Sequence, residues 1–454
     1  MLAIRRSPHN ARRSLNAPML PWAVLLMVGI VVWDACFRQE RQTVWPEAEH
    51  VYRAVVISEP VVKPKTMAVD LLLTDSRQKI IGYIHKDVRS SALTVGDGIE
   101  FRGRIAEINN VGTGTFDYKR YMETHGFTGS VYVAGGKWQK QQLSLRQLSW
   151  TQRCRLYFLK LRHGLLQRYR YVGIEGDEYG VIAAMTLGDK SALTPELRET
   201  YSISGASHVL ALSGLHLGII VSLLSLFVMG RRFRVATHLL VITCIWAFAF
   251  LVGLPPSVVR SAVMFSIYGL LSLGARHKMS LNVLAVTAIC MLIANPETLF
   301  DVGFQMSFLA VLGILLWMPL FDCLVSARYM QEHPVVKWLW SLLTVSVAAQ
   351  LGVAPLIAYY FGRFSTFFLL TNLVAIPSVF LILHLSLLIL AIPQIAAPLL
   401  VLTAWFLNSV LGLLSRLPIA SIDGLHPTVV QVAIIYAVLM AANLWLRQKA
   451  PVRR

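Results

Sequence analysis

Hydrophobic and polar positions divide the chain into regions of different periodicity. Residues 203–446 form nearly continuous apolar runs that short clusters of Gly, Pro, Asn and Arg interrupt. Residues 38–171 instead have ordinary polar content with short alternating segments, and one apolar run precedes them at 18–33. Long apolar runs are typical of helices that cross a bilayer, whereas alternation is typical of half-buried strands.

The apolar runs predict about ten membrane-spanning helices. They lie at about 18–35, 205–229, 237–252, 257–274, 280–294, 302–320, 339–359, 366–391, 396–414 and 428–446. The run at 367–415 also fits two spans plus a re-entrant segment. The first run is followed by WDACF at 33–37, a poor cleavage site, which favours an uncleaved span over a signal peptide.

Five alternating segments predict a small β domain. They lie at 51–58, 66–74, 79–86, 98–108 and 129–134. Short strands at this spacing favour a closed barrel, and the OB-fold is the simplest candidate. We expect residues 112–127 to form a loop or a helix between the last two strands.

Composition and charge add the topology. The chain is 56% hydrophobic and 15% charged, which exceeds the apolar share of soluble domains. Its net charge of +18 suggests nucleic-acid binding, but the positions of the basic residues favour another cause. One set of short loops, with both termini, holds fifteen Lys or Arg, and the opposite set holds two, Arg363 and Arg416. The positive-inside rule therefore predicts that both termini are cytoplasmic.

This orientation places residues 38 to about 200 outside the cytoplasm. The predicted fold class is a polytopic α-helical membrane protein with a small all-β, OB-fold-like extracytoplasmic domain. We divide the chain into a basic N-terminus with the first span (1–37), the β domain (38–142), a basic amphipathic linker with further helices (143–200), the main transmembrane domain (201–446) and a basic cytoplasmic tail (447–454).

The most unusual apolar stretch is SISGASHVLALSGLHLGII at 202–220, because it contains histidines, serines and glycines. Unpaired polar groups in hydrocarbon cost several kcal/mol, so these residues require a neighbouring helix, a water-filled path or a ligand. On a helical wheel, Ser204, His208, Ser213 and His216 spread over about 180°. A straight helix would have no clean polar face, so we expect a break near Ser213 and Gly214.

Metal and catalytic chemistry are disfavoured for this stretch. Zinc needs three or more converging ligands, and only His208 and His216 are at hand. A Ser213–His216 hydrolytic pair lacks a supporting carboxylate nearby. The remaining alternatives are that both histidines line a path for a substrate, or that they only bond neighbouring helices.

Polar residues in other apolar runs extend the candidates. Arg260 either contacts a substrate or snorkels to lipid headgroups. Asp301 and Gln305 lie one turn apart, and helix capping is the favoured role of Asp301. Gln350 lies deeper in its span, where bonding to a neighbouring helix is favoured. Arg363 supplies a cation in a loop.

Residues 146–170 contain seven Lys or Arg and no acid. The apolar residues of this segment recur at spacings of three and four: Trp150, Cys154, Phe158, Leu161 and Leu165. The pattern predicts a basic amphipathic helix on a membrane surface, and a docking strip for nucleic-acid phosphates is the alternative.

The loop or helix at 112–127 combines aromatic and basic side chains. Its candidates for contact with a single nucleic-acid strand are Phe116, Tyr118, Lys119 and Arg120, although structural packing is the favoured role of the aromatic rings. The five cysteines form no CxxC pair, so no metal is expected, and a disulfide between Cys36 and Cys154 stays open. No cofactor is expected.

Several blocks together resemble the ComEC family of bacterial competence proteins, the inner-membrane channels for uptake of transforming DNA. The blocks lie, in family order, at 112–127, 185–220, 253–265, 295–314 and 348–377. The resemblance implies an OB-like domain outside the cytoplasm, a multi-helix channel domain, and passage of single-stranded DNA to the cytoplasm. We expect that the chain has no catalytic activity of its own. The polar residues named above then become candidates for the DNA path.

Many members of that family carry a C-terminal metallo-β-lactamase-like domain. This sequence ends at Arg454, and none of its 12 histidines forms an HxHxDH-type motif. We therefore expect a separate nuclease, a periplasmic DNA-binding protein, and cytoplasmic motor or strand-binding proteins as partners, besides membrane lipids; a homo-oligomer stays open. The alternative functions are a secondary permease for a small anionic solute, or a membrane-embedded hydrolase centred on Ser213, His208 and His216.

Overall fold

The computed structural model describes residues 19–37, 45–110, 117–142, 149–225, 234–273 and 280–449. The chain forms two compact units, which we call the helical unit and the β unit. The helical unit consists of Met1–Val32, Thr194–Trp246 and Pro256–Arg454, and the β unit of Trp33–Leu193 and Ala247–Pro255. A first apolar helix, α1 (Leu20–Phe37), precedes the strands.

The β unit contains a barrel of short strands. The strands are β1 (His50–Val56), β2 (Val61–Val62), β3 (Thr66–Leu73), β4 (Lys79–His85), β5 (Gly98–Gly103), β6 (Ile105–Ala106), β7 (Phe127–Val133) and β8 (Trp138–Gln141). Their order is β6-β7-β4-β3-β1-β5-β8, and β4 and β7 are parallel. Because β6 continues β5 after a single residue, the sheet closes on itself. The five predicted strands are confirmed, and β2 and β8 were not predicted.

Alternation along the strands builds two apolar layers. In β3, Val69, Leu71 and Leu73 point into the barrel core. Leu72 points the other way and belongs to a second cluster with Leu156. The period of two thus lets one strand serve the barrel interior and an outer contact.

Four helices accompany the barrel. They are α2 (Val88–Ser91), α3 (Tyr118–Thr124), α4 (Trp150–Tyr171) and α5 (Gly176–Leu187). The short helix α3 lies between β6 and β7, where the sequence predicted a loop or a helix. Cys36 in α1 and Cys154 in α4 are both free thiols, so the disulfide left open from the sequence is not formed.

The basic helix α4 packs by a face that its sequence did not reveal. Leu156 and Leu159 are buried against the outer cluster of the barrel. Arg162 is also buried, and its Nη1 donates to the Val252 carbonyl over 3.3 Å. Trp150, on the predicted apolar face, is 69% exposed. The helix therefore has a packed side and an open side.

The helical unit is built from helices that follow one another through short connections. They are α6 (Pro195–Ile203), α7 (Ser207–Leu210), α8 (Gly214–Ser225), α9 (Arg234–Leu251), α10 (Pro256–Leu273), α11 (Ser280–Ala294), α12 (Val302–Phe321), α13 (Ala327–Glu332), α14 (Pro334–Phe361), α15 (Phe368–Leu388), α16 (Pro393–Ser415) and α17 (Val429–Lys449).

Among the described residues, five helices are long and apolar enough to cross a membrane: α12, α14, α15, α16 and α17. Five further apolar helices are shorter, at Leu20–Cys36, Gly214–Leu224, Val235–Leu251, Pro256–Leu271 and Leu281–Ala294. Each of the ten predicted spans overlaps one of these helices, and the ambiguous run at 367–415 contains two. The number that actually cross stays a prediction.

Helix α17 hydrogen-bonds to the backbone of α12 and α14. Tyr436 donates from its hydroxyl to the Gly352 carbonyl over 2.9 Å, and Asn443 donates to the Leu316 carbonyl over 3.0 Å. Each accepting carbonyl lies three residues before the proline inside its helix. A proline disturbs the hydrogen bonds of the preceding turn, and neighbouring helices satisfy the freed groups in membrane proteins. Helix α17 fills that role here.

Candidate functional site at an interrupted helix

Polar side chains of the helical unit gather at one end of its helices. Tyr360 near the end of α14 donates a 2.8 Å hydrogen bond to the side-chain oxygen of Gln305 in the first turn of α12. The start of α12 therefore meets the end of α14. Asp301 immediately precedes α12, and Arg363 follows α14, so both lie at this same end.

The predicted span at 205–229 is interrupted at this end. Helix α7 ends at Leu210, and α8 begins at Gly214. Between them the backbone is extended, with φ −90° and ψ 125° at Ala211. The predicted break at Ser213 and Gly214 is confirmed. It divides a four-residue helix, of which Val209 and Leu210 are buried, from a helix that continues the apolar run.

Ser213 and His216 close the start of α8 as a variant of the capping box, in which the serine hydroxyl accepts from the second helical residue. The Ser213 hydroxyl accepts a 3.3 Å hydrogen bond from the Leu215 N–H. The His216 Nδ1 lies 3.3 Å from the Ser213 N–H and 3.1 Å from its hydroxyl. Because a backbone N–H only donates, Nδ1 accepts and a neutral ring carries its proton on Nε2. His216 is 0% exposed, and its Nε2 has no hydrogen-bond partner in the described part of the chain.

Neighbouring helices satisfy the carbonyls around the break. The Ser257 hydroxyl in α10 donates to the Leu212 carbonyl over 2.6 Å. The Thr371 hydroxyl in α15 donates to the Ser204 carbonyl over 2.7 Å. Irregular backbone within a membrane persists only where such partners or water are available. The break is therefore held between α10 and α15.

A buried ion pair lies beside the break. Arg260 in α10 is 3% exposed, and its Nη1 lies 3.6 Å from Asp301 Oδ1. The same Oδ1 accepts a 2.7 Å hydrogen bond from the Phe304 N–H, which confirms the predicted cap of α12. Arg260 Nε and Nη1 have no hydrogen-bond acceptor among the residues that the structure describes. The guanidinium is thus paired by charge while its donors stay unfilled.

Arg363 forms a different arrangement, in which its donors are occupied. It lies in the short strand β9 (Arg363–Ser365), which pairs with β10 (Ser421–Asp423). Arg363 donates to the Asp423 carboxylate through Nε and to Glu199 over 2.8 Å through Nη1. A third bond of 3.1 Å reaches the Ser202 hydroxyl. Arg363 therefore ties α6 to the β9–β10 pair.

The other candidates of the helical unit are dispersed. His208 is exposed, and its Nδ1 lies 3.1 Å from the Gly205 carbonyl. Gln305 also donates to the Leu299 carbonyl over 3.0 Å, and Gln350 is half-buried within α14. In the part of the chain that the structure describes, no three His, Cys, Asp or Glu side chains are arranged to hold a metal.

The candidates of the β unit are engaged in packing and ion pairs. Tyr118 packs against an apolar cluster that contains Phe127. Lys119 lies 3.6 Å from Glu107, and Arg120 donates to Asp34 over 2.7 Å. Phe116 lies outside the described residues. Packing of Tyr118 agrees with the role that the sequence favoured.

The structure reveals a cleft on the barrel that the sequence did not indicate. Its volume is about 440 Å³, and Tyr83, Arg102, Arg104, Tyr132 and Lys137 contribute to its lining. Tyr83 and Tyr132 are direct neighbours across β4 and β7, and Tyr132 is 59% exposed. Adjacent tyrosines in separate strands give no local sequence signal, because only the strand pairing unites them.

Comparison with known proteins shows what this architecture is similar to. The ComE operon protein 3 of Bacillus subtilis is 26% identical over 73% of this chain and 41% of its own length. The uncharacterized protein YcaI of Escherichia coli is 26% identical over 44% of this chain and 27% of its own length. An uncharacterized protein of Aquifex aeolicus is 33% identical over 38% of each chain. The chain thus spans less than half the length of these relatives. No solved structure matches it.

The family comparison covers the interrupted helix and the buried ion pair together. A family model described as competence protein matches residues 185–449, which is more than half of the chain. That range begins in α5 and ends with α17, and it includes the five long apolar helices. The family match and the five long apolar helices together show that this is a membrane protein. The chain belongs to the competence protein family.

Proposed function

We propose that the chain is an inner-membrane channel that passes single-stranded transforming DNA into the cytoplasm during natural competence. Family membership and the relative named ComE operon protein 3 support a role in DNA uptake. The observation that carries the proposal is the polar end of the helical unit. An interrupted helix there lies beside buried donors of Arg260 and His216 that have no acceptors.

The chemistry of a DNA strand fits these donors. Each phosphate carries a full charge, so a path through a bilayer must offer water, donors or cations. Arg260 and the Nε2 proton of His216 would donate to phosphate oxygens. Neutral polar groups such as Ser213, Gln305, Gln350 and the exposed His208 would let the polyanion slide without a deep trap.

The β unit supports a strand-binding role outside the cytoplasm. Its barrel closes through β1, β3, β4, β7 and the nearly continuous β5 and β6, which together count as five strands, and β4 and β7 are parallel. We interpret this arrangement as an OB-type barrel. Such barrels bind single strands by stacking bases on aromatic rings within basic grooves. Tyr132 and Arg104 of the cleft meet that description. Lys137 in the same cleft pairs with Glu49 over 2.8 Å, just as Lys119 and Arg120 pair with Glu107 and Asp34.

The proposed topology has about ten spans, with both termini in the cytoplasm and the β unit outside. Partners would include a nuclease, a periplasmic DNA-binding protein and a cytoplasmic motor or strand-binding protein. No cofactor is assigned. The oligomeric state stays open.

A hydrolase centred on Ser213 is the second candidate, because the Ser213 hydroxyl lies 3.1 Å from His216 Nδ1. The capping box accounts for this contact, since the Ser213 N–H shares the same nitrogen. A permease for a small anionic solute would use the same donors. It would import that solute independently of DNA.

The decisive experiment separates two steps of uptake. The gene is deleted in its host, and transformation is scored beside entry of labelled DNA into the periplasm. A channel predicts that DNA still reaches the periplasm while transformants disappear and a plasmid copy of the gene restores them. Unchanged transformation would refute the proposal.

A further inference from the structure

The N-terminus of α12 already holds an anion, the carboxylate of Asp301. This helix has 20 residues, and its first-turn N–H groups and dipole favour negative charge at that end. Asp301 Oδ1 accepts a 2.7 Å hydrogen bond from the Phe304 N–H. The same oxygen lies 3.6 Å from Arg260 Nη1, so one carboxylate serves both the helix and the arginine.

The carboxylate leaves the hydrogen-bonding capacity of Arg260 unfilled. The 3.6 Å separation of Nη1 and Oδ1 exceeds the range of a hydrogen bond. Within the described residues, Nε and Nη1 of Arg260 have no acceptor, although only 3% of the residue is exposed. Buried donors without acceptors are costly. A guanidinium presents a planar fork that matches two oxygens of a phosphate, which is more than Asp301 supplies here.

Gly303 brings bare backbone close to both charged groups. A Cβ at this position would lie 3.0 Å from Asp301 Oδ1 and 3.5 Å from Arg260 Nη2. Any larger residue would therefore crowd the carboxylate and stand against the guanidinium. The bare backbone in the first turn of α12 therefore keeps a side chain away from both charged groups.

We propose that Arg260, Gly303 and the N-terminus of α12 form a phosphodiester-exchange site, in which Asp301 is the resident anion that a phosphate of the passing strand displaces. This inference rests on the proposed function. The incoming phosphate accepts from Arg260 and the first-turn N–H groups while Asp301 turns away, and Asp301 returns as the phosphate leaves. The arginine is never left as an uncompensated buried charge, which would be strongly destabilising. No phosphate is trapped, because the carboxylate competes for the same place.

The test measures binding of a fluorescein-labelled oligothymidylate to the full chain in phosphatidylcholine nanodiscs, across a salt series. Arg260→Gln is expected to weaken binding and to reduce the salt slope by about 0.7, the value for one phosphate contact on a single strand. Asp301→Asn keeps a good capping residue and removes the competing charge, so it is expected to tighten binding several-fold. Misfolding cannot produce that gain. Gly303→Val is expected to weaken binding without any change of charge.

Arg363→Gln is the matched control, since this arginine lies at the same end with its donors occupied by Glu199 and Asp423. It is expected to leave the salt slope unchanged. Each variant is first compared with wild type by size-exclusion chromatography and unfolding temperature, because Asp301→Asn removes the counter-charge of a buried arginine. An unchanged slope in folded Arg260→Gln, or no tightening in folded Asp301→Asn, overturns the exchange site while the channel proposal stands on the deletion experiment. Phospholipid headgroups are also phosphodiesters. If added phosphatidylglycerol abolishes oligothymidylate binding in Arg363→Gln and wild type alike, the site belongs to lipid and the inference fails.

Discussion

At the scale of single residues, Ser213 distinguishes a helix cap from a nucleophile. Ser213→Ala removes the acceptor of the Leu215 N–H, and loss of an N-cap costs about 1 kcal/mol. We expect the Ser213→Ala protein to unfold at a lower temperature in detergent. Its DNA uptake should fall only in proportion to the loss of folded protein. Ser213→Asn restores a capping residue without a hydroxyl, so it should recover both the unfolding temperature and DNA uptake. A folded Ser213→Asn protein that supports no uptake would instead indicate hydroxyl chemistry.

Asp423 makes the Arg363 tie dependent on pH. The hydrogen bond from Arg363 lowers the pKa of Asp423 below its ordinary value, while burial opposes this slightly. A carboxylate with a lowered pKa adds stability above its unfolded pKa of about 3.9, and this is lost as pH falls through the folded value. The unfolding temperature of wild type should exceed that of Asp423→Asn modestly at pH 7, because the pair is exposed. The difference should vanish in acid; a difference that grows in acid contradicts the assignment.

Part of the site at the interrupted helix could be predicted from the sequence, because unpaired polar groups in an apolar segment are energetically unfavourable. Ser213, His216 and Arg260 stand out because polar groups in an apolar run require partners. Asp301 was correctly predicted as a cap, since that role depends only on the residues that follow it. The partners of Arg363 could not be predicted, because Asp423 and Glu199 lie 60 and 164 residues away. Contacts at such distances depend on the tertiary fold.

At the scale of elements, a close helix crossing holds α12 against α14. A Cβ at Gly352 would collide with the Leu309 carbonyl, and one at Gly313 with the Ala348 carbonyl. Gly352→Ala must therefore separate the helices, and overpacking of this kind costs about 1–3 kcal/mol. We expect a clear fall in unfolding temperature in detergent. Gly412→Ala in α16 is the control, because nothing lies within 4 Å of its Cβ, and it should be neutral or slightly stabilising. If Gly352→Ala and Gly412→Ala changed the unfolding temperature equally, the close contact between α12 and α14 would be contradicted.

Element prediction succeeded where the pattern was long and failed where it was short. The five alternating segments became strands because each has a buried face that fixes its period. Strand β2 has only two residues, and β8 reads WQKQ, which carries one apolar residue for the core. Trp138 is placed by pairing with Phe101 of β5, a long-range contact that no local pattern encodes. The face of α4 was obscured for a similar reason, since the barrel selects Leu156 and Leu159 for burial.

At the scale of the whole molecule, the distribution of basic residues predicts the orientation in the membrane. One set of loops, together with the termini, contains fifteen Lys or Arg, whereas the other set contains two. By the positive-inside rule, this bias predicts that both termini are in the cytoplasm. A fluorescent-protein fusion after Arg454 should therefore fluoresce, and alkaline phosphatase inserted after residue 142 should be active, because the enzyme matures only outside the cytoplasm. Replacing Arg231, Arg232 and Arg234 with Gln should weaken the bias and yield a mixed population, whereas Arg416→Gln should not. Phosphatase activity at the C-terminus would place the β unit in the cytoplasm. The proposed entry of DNA from that side would then fail, even if every contact around Arg260 is correct.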